Sequence, residues 1–259
     1  MQFTGDIATI QQRLAETSDL YRRRLAVLDA LDASPGERVL EVGCGGGALL
    51  PAIGSAVGSS GRVVGIDISQ DQIAAAARRC AGQQNIEVAV RDVRQLPYEP
   101  RSFDAFIAVQ AIEYVDDPLQ ALSEMRRVST DRARAVILAT NWDSVFWNTP
   151  SDELTRKIQR AFRQHAPHPN LPADLRPMLR RVGFQVIQQA PVTIVNPSYH
   201  QDSFAYWIAR LIVAFCVARS LLTKQDADAW LDSLAAAQEA ERFFFSSTPI
   251  VTVAAAFTK

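Results

Sequence analysis

Between residues 38 and 140 short apolar, β-rich runs alternate with segments of helical character, and that rhythm leaves few folds open. Residues 38–42, 62–68, 86–90, 103–109 and 133–140 read as five strands, rich in Val and Ile and closed by Gly, Asp or a polar turn. Helices are expected between them over 48–57, 70–80 and 117–128, with Pro51 and Pro118 placed where a first helical turn tolerates proline. Strand and helix in strict alternation build βαβ units, hence a parallel sheet covered on both faces. The later chain keeps a sixth strand at 184–189 and a terminal strand in P-I-V-T-V-A-A-A-F. Helices are expected over 6–32, 151–165, 202–222 and 225–243, and prolines 167, 169, 172 and 177 punctuate a loop and a short helix. The helical pair interrupts a sheet that resumes after it. The expected organisation is an N-terminal helical segment or lid (1–33), an α/β domain (34–199), an inserted helical cap (200–245) and the α/β domain's final strand (246–259).

Charge and cysteine content narrow the function. The 259 residues carry a formal charge of −1 and a pI near 6.3, so no basic field is available for a phosphate backbone and no nucleic-acid partner is expected. Three cysteines without close pairing support neither a disulfide framework nor a Cys-x-x-Cys metal site, and no metal is expected. The first residues lack a basic start and an apolar core, so a cytoplasmic location is expected. The apolar run at 204–222 approaches a membrane span in length, but Arg210 sits well inside it. It reads as a mostly buried helix, with no stable membrane insertion. Oligomeric state is left open.

The first strand runs into V-L-E-V-G-C-G-G-G, residues 39–47. Glycines 43, 45 and 47 lack Cβ atoms, so a ligand can approach main-chain N–H groups at the carboxyl edge of a parallel sheet. Taken alone, Gly43-x-Gly45-x-x-Ala48 also satisfies a loose dinucleotide pattern, which leaves an NAD(P)-dependent oxidoreductase as an alternative. The acids add information. Glu41 lies inside the strand end, where it would repel a pyrophosphate but suit a cationic group. Asp67 and Asp92 end the second and third strands, at positions from which ribose hydroxyls and an adenine amino group could be met. Three acids at three consecutive strand ends describe a nucleoside with a positive centre and no phosphates.

E-V-G-C-G-G-G, G-I-D-I-S, R-D-V-R-Q-L-P-Y and S-F-D-A-F-I-A-V-Q-A-I-E-Y-V, in that order, resemble the class I S-adenosylmethionine-dependent methyltransferases. The likeness covers most of residues 20–140. It implies a doubly wound, seven-stranded, mostly parallel Rossmann-like sheet whose last strand is antiparallel. By the same resemblance Glu41, Gly43, Gly45 and Gly47 would surround the methionine portion of S-adenosylmethionine. Asp67 would hold the ribose, Ile68 pack on adenine, Asp92 and Val93 meet the adenine edge, and Gln110 line the floor. One departure stands out: S-T-D-R-A-R replaces the Pro-Gly-Gly turn that relatives commonly carry before strand five.

Methyl transfer from a sulfonium is an in-line displacement that requires alignment and no fixed catalytic residue. His165 and Asp143 are candidates for a general base should the acceptor need one. T-N-W-D-S-V-F-W, residues 140–147, resembles a stretch in the ubiquinone/menaquinone-biosynthesis-like group, whose substrates are small molecules. Tyr114, Trp142, Trp147 and Trp207 are the candidate substrate contacts, and an aromatic cap favours an apolar or aromatic acceptor. A methyltransferase-fold protein that binds the cofactor without transferring methyl is the remaining alternative.

Overall fold

A computed structural model of the chain describes residues 6–257, with side chains from residue 9 onward. Residues 1–5 and 258–259, the outermost parts of the first and last expected segments, lie outside the described residues. The N-terminal stretch forms two helices, α1 (Asp6–Glu16) and α2 (Ser18–Leu31), rather than one. The buried Thr17 is the reason: its hydroxyl donates to the Leu14 carbonyl at 2.8 Å and so closes α1.

The strand–helix rhythm then yields β1 (Arg38–Val42), α3 (Leu50–Val57), β2 (Arg62–Asp67), α4 (Gln70–Arg79) and β3 (Ile86–Val90). It continues with β4 (Phe103–Val109), α5 (Pro118–Arg127) and β5 (Ser129–Thr140). After these come β6 (Phe146–Asn148), α6 (Asp152–Phe162), α7 (Leu171–Val182), β7 (Phe184–Pro191) and β8 (Ile194–Asn196). The chain closes with α8 (Phe204–Ala218), α9 (Lys224–Glu239), β9 (Phe244–Ser247) and β10 (Pro249–Ala256). Side chains fix several of these starts: Ser69 caps α4, Asp117 caps α5, Ser203 caps α8 and Thr223 caps α9, each accepting the backbone N–H three residues on.

The chain divides into two units. An α/β unit takes residues 24–140, 170–191 and the chain from 250; a helical unit takes the chain up to 23, 141–169 and 192–249. The helical unit thus draws on more of the chain than residues 200–245.

In the α/β unit seven strands form one sheet in the order β3-β2-β1-β4-β5-β10-β7. Strands β1 to β5 pair in parallel, and β10 runs antiparallel to β7. This is the doubly wound, mostly parallel sheet expected. Leu40 and Val42 of β1 pack with Phe106, Ile137 and the α5 and α7 side chains, in a core that excludes water from one face. The S-T-D-R-A-R stretch is not a loop: β5 starts at Ser129, and a register irregularity between Phe103 and Ala105 absorbs it.

The helical unit has its own core, with Trp230, Phe215, Ile212, Ile158 and Phe245 buried together. It also holds a three-stranded antiparallel sheet, β6-β9-β8, that the sequence pattern does not announce. Two of its strands are three residues long, too short for an alternation to be read. Arg210, midway along the apolar α8, donates to the Tyr199 hydroxyl at 2.8 Å and stacks its guanidinium 3.3 Å from the Tyr206 ring centre. Among the described residues no helix is long and apolar enough to cross a membrane.

Candidate cofactor site

The order of strands places β1 between β2 and β4, and the chain leaves the sheet to opposite faces after these two neighbours. Such a switch point opens a crevice at the carboxyl ends of the strands. Two turns meet there. A Cβ on Gly43 would come within 2.4 Å of the Ala111 Cβ, so the turn after β1 and the turn after β4 touch only because Gly43 has none. Gly43, Gly45 and Gly47 all have positive φ (67°, 51° and 73°), which non-glycine residues rarely adopt. Gln110 is held at φ 49° despite its side chain. Its N–H donates to the Leu138 carbonyl at 2.8 Å, and its amide donates to the Thr140 hydroxyl at 3.2 Å. Strain fixed by several bonds in this way is common at ligand sites.

The acids differ sharply in environment. Asp67 accepts the Gly45 N–H at 3.0 Å on one oxygen and the Ser69 N–H at 2.9 Å on the other. It thus clamps the glycine turn against the start of α4 and keeps lone pairs for a ligand. The next residue, Ile68, is 77% exposed, the most solvent-facing large apolar side chain among the described residues. Asp92 is gripped by Arg94 through Nε and Nη2, at 3.0 and 2.7 Å to one oxygen, and that pair holds its carboxyl below the usual range. Val93 is buried in the core beneath, so only its backbone can meet a ligand edge.

Glu41 is the outlier. It sits mid-sheet, in register with Gly65 of β2 and Ile107 of β4, and only 3% of its surface is exposed. Its Oε2 is buried without a hydrogen-bond partner. Burial, and then the neighbouring Asp67 carboxylate, push its carboxyl up to about 8. A buried, partnerless acid costs several kcal/mol or so unless something positive is brought to it.

Residues 40–137 match the methyltransferase domain family. An uncharacterized 37.1 kDa protein of transposon TN4556 from Streptomyces fradiae is 33% identical over 252 residues, covering 97% of this chain and 72% of that one. A demethylmenaquinone methyltransferase from Staphylococcus aureus (strain MRSA252) is 33% identical over 126 residues, 49% of this chain and 52% of its own. The chain thus spans about half the length of that relative. Among solved structures, a candidate methyltransferase from Bacillus halodurans C-125 superposes with a TM-score of 0.66 at 18% identity, covering 91% of this chain and 99% of that one. The chain belongs to the class I S-adenosylmethionine-dependent methyltransferases.

S-adenosylmethionine is therefore the cofactor of this methyltransferase, and the nicotinamide alternative for the glycine turn falls away. The residues present fit the group. Glu41 offers an unsatisfied buried acceptor for a cation, the turn carries no side chain at Gly45 and Gly46, where a Cβ would meet nothing nearer than 3.5 Å, and no cationic side chain stands in the turn to meet a phosphate.

The substrate-side candidates fall in different places. Tyr114 belongs to the α/β unit, at the end of a 3-10 turn (Ile112–Tyr114) after β4, and is partly buried. The others belong to the helical unit. Trp147 is a core residue and not an exposed contact: it is 3% exposed, with Trp230 at 5.1 Å and Phe245 at 4.4 Å between ring centres. Trp142, on the 3-10 turn after β5, is partly exposed and packs edge-on against Phe162 and His165. Trp207 is partly exposed and donates its indole N–H to the Gln201 carbonyl at 2.6 Å.

Neither base candidate is poised as one. His165 is stacked 4.1 Å from Phe162, its Nδ1 donates to the Phe162 carbonyl at 2.7 Å, and burial lowers its pKa to about 4. Asp143 forms an ion pair with Arg163. The cap of that turn is Asn141, whose side chain accepts the Asp143 N–H at 3.1 Å. Two residues near the cofactor turn escaped the sequence reading. Gln72, in the first turn of α4, brings its Oε1 within 3.5 Å of where a Gly46 Cβ would stand, and Glu113 is wholly buried after β4. An acid inside the apolar run A-I-E-Y-V was the available signal for the second; the first had none.

Proposed function

We propose that this methyltransferase acts on a small, apolar or aromatic metabolite. One observation carries the reading: the helical unit keeps aromatic side chains toward solvent, with Phe146 52% and Phe244 38% exposed and their ring centres 6.2 Å apart on adjacent strands β6 and β9. An exposed aromatic pair of this kind suits a flat or apolar ligand. The relative from Staphylococcus aureus, named for demethylmenaquinone, supports the same substrate class.

The bound cofactor supplies an activated methyl carbon; the rest falls to the chain. In this proposal Glu41, Gly43, Gly45 and Gly47 hold the methionine portion, and Asp67 accepts the ribose hydroxyls. Ile68 covers the adenine, Asp92 and the Val93 backbone meet its edge, and Gln110 lines the floor. Trp142, Trp207 and Tyr114 are the aromatic contacts for the acceptor; Trp147, packed on Trp230 and Phe245 in the core, is not one. His165 and Asp143 take no part as bases, because one is a buried neutral ring and the other is engaged by Arg163. The reading favours an acceptor that is nucleophilic by itself, an ionisable phenol, an amine or a stabilised carbanion, with alignment supplying the catalysis.

The test is transfer of label from methyl-labelled S-adenosylmethionine to separate panels of phenols and quinols, peptides, and oligonucleotides. Label in an organic-extractable small molecule is expected. Label only in peptide or oligonucleotide would overturn the substrate class.

A further inference from the structure

Glu41 faces a set of groups that leaves its charge uncompensated. Asp67 approaches from the end of β2 as a second carboxylate, and the Cys44 and Cys80 thiols lie on the glycine turn and at the end of α4. Burial, and next the nearness of Glu41, raise both thiols above their ordinary range, so neither is an anion at neutral pH. No lysine or arginine among the described residues pairs with Glu41, and Oε2 receives no donor. Opposite it in β2 stands Gly65, so no side chain from that position screens it. Meanwhile Asp67 accepts two backbone N–H groups, from Gly45 and Ser69, and Glu41 Oε2 accepts none. Burial without a donor, beside a second carboxylate, favours the neutral form of Glu41.

We infer that Glu41 is a neutral carboxylic acid in the free protein and surrenders its proton to solvent when the α-ammonium group of the cofactor enters beside it, so that cofactor uptake is coupled to proton release. The inference rests on the cofactor placement proposed above. No other bond changes: the O–H bond of Glu41 breaks, the proton passes to buffer, and the carboxylate pairs with an ammonium that keeps its own protons. The coupling selects for ligands carrying an amine. A nucleoside that fills the Asp67 and Ile68 end alone leaves Glu41 protonated.

Titration calorimetry at pH 6.5 in buffers of different ionisation enthalpy counts the protons. S-adenosylmethionine and S-adenosylhomocysteine should each release close to one proton per site, and 5′-methylthioadenosine, which lacks the amino-acid portion, close to none. The dissociation constant of S-adenosylhomocysteine should rise about tenfold on going from pH 7 to pH 6, against little change for 5′-methylthioadenosine. Glu41→Gln should bind the amine-bearing ligands more weakly and without proton release. Binding of S-adenosylhomocysteine with no buffer dependence in the wild type overturns the inference and leaves the cofactor assignment standing. Failure of all three ligands to bind strikes the cofactor placement itself. Should Glu41→Gln not fold, the wild-type comparison between the two nucleosides decides alone.

Discussion

Replacing Glu41 by glutamine changes the free protein in a direction that few core substitutions share: it stabilises, and more so as the pH rises. Burial moves the Glu41 carboxyl from 4.5 to about 8, so the folded chain holds this proton more tightly than the unfolded chain does. Stability from this group is therefore full below pH 4.5 and is lost as the pH climbs through the interval up to about 8, after which it levels off. One pKa unit corresponds to about 1.4 kcal/mol, so the wild type forfeits roughly 3 kcal/mol by pH 7 and roughly 4 by pH 8. Glutamine has nearly the same shape and cannot ionise. At pH 5 the variant and the wild type should differ little; at pH 8 the variant should be the more stable by several kcal/mol, less whatever relaxation admits water to the wild-type carboxylate.

Urea melts followed by far-ultraviolet circular dichroism at intervals from pH 5 to 8 measure the difference. All four tryptophans (142, 147, 207 and 230) lie in the helical unit, so intrinsic fluorescence recorded alongside identifies that unit's transition, and the remaining amplitude belongs to the unit carrying Glu41. Stabilities of wild type and Glu41→Gln that run parallel across the range would refute the reasoning. The carboxyl would then be hydrated or partnered in solution, and its burial would not govern its charge.

The remaining predictions concern neighbouring features. Gly43→Ala places a methyl against the Ala111 Cβ at a positive φ, and should cost on the order of 2 kcal/mol in melts and weaken cofactor binding, with Ala111→Gly restoring part of both. Asp67→Ala removes the clamp on Gly45 as well as the ribose acceptor, and calorimetry should show affinity for S-adenosylhomocysteine falling roughly tenfold to a hundredfold. His165 has its pKa lowered to about 4 by burial, so its contribution is full above pH 6.5 and is lost as the pH falls toward 4; tryptophan-monitored melts should show a flatter acid limb for His165→Gln. Arg94→Ala frees the Asp92 carboxylate and should tighten binding of 5′-methylthioadenosine, whereas Asp92→Ala should weaken it; equal affinities in the two variants would remove Asp92 from the adenine edge.

What could be read in advance follows from how each feature is encoded. The α/β unit was legible because its strands are continuous apolar runs between polar turns, and because the chain delivers them in order from β1 to β5. The edge on which the acids lie was legible for a related reason. In a parallel sheet every strand ends on the same edge, so Glu41 near the end of β1, Asp67 closing β2 and Asp92 two residues past β3, far apart in sequence, lie toward one edge. Nothing comparable organises the helical unit. Its sheet joins residues 146–148, 194–196 and 244–247 across gaps of about fifty residues, with pairs such as Trp147 opposite Phe245 that no local period records. The same difference explains Trp147. A tryptophan in a T-N-W-D-S-V-F-W stretch reads as a ligand contact, but in β6 alternation sends Phe146 outward and Trp147 inward, and that cannot be seen until the strand is known. Charge state is the deepest layer. That Glu41 is acidic is plain from the sequence, but its reluctance to ionise depends on Gly65 beside it, Asp67 at the next strand end and the absence of a donor. These are facts of pairing register and not of composition. The acid that best marks the cofactor family is thus the one whose chemistry required the structure.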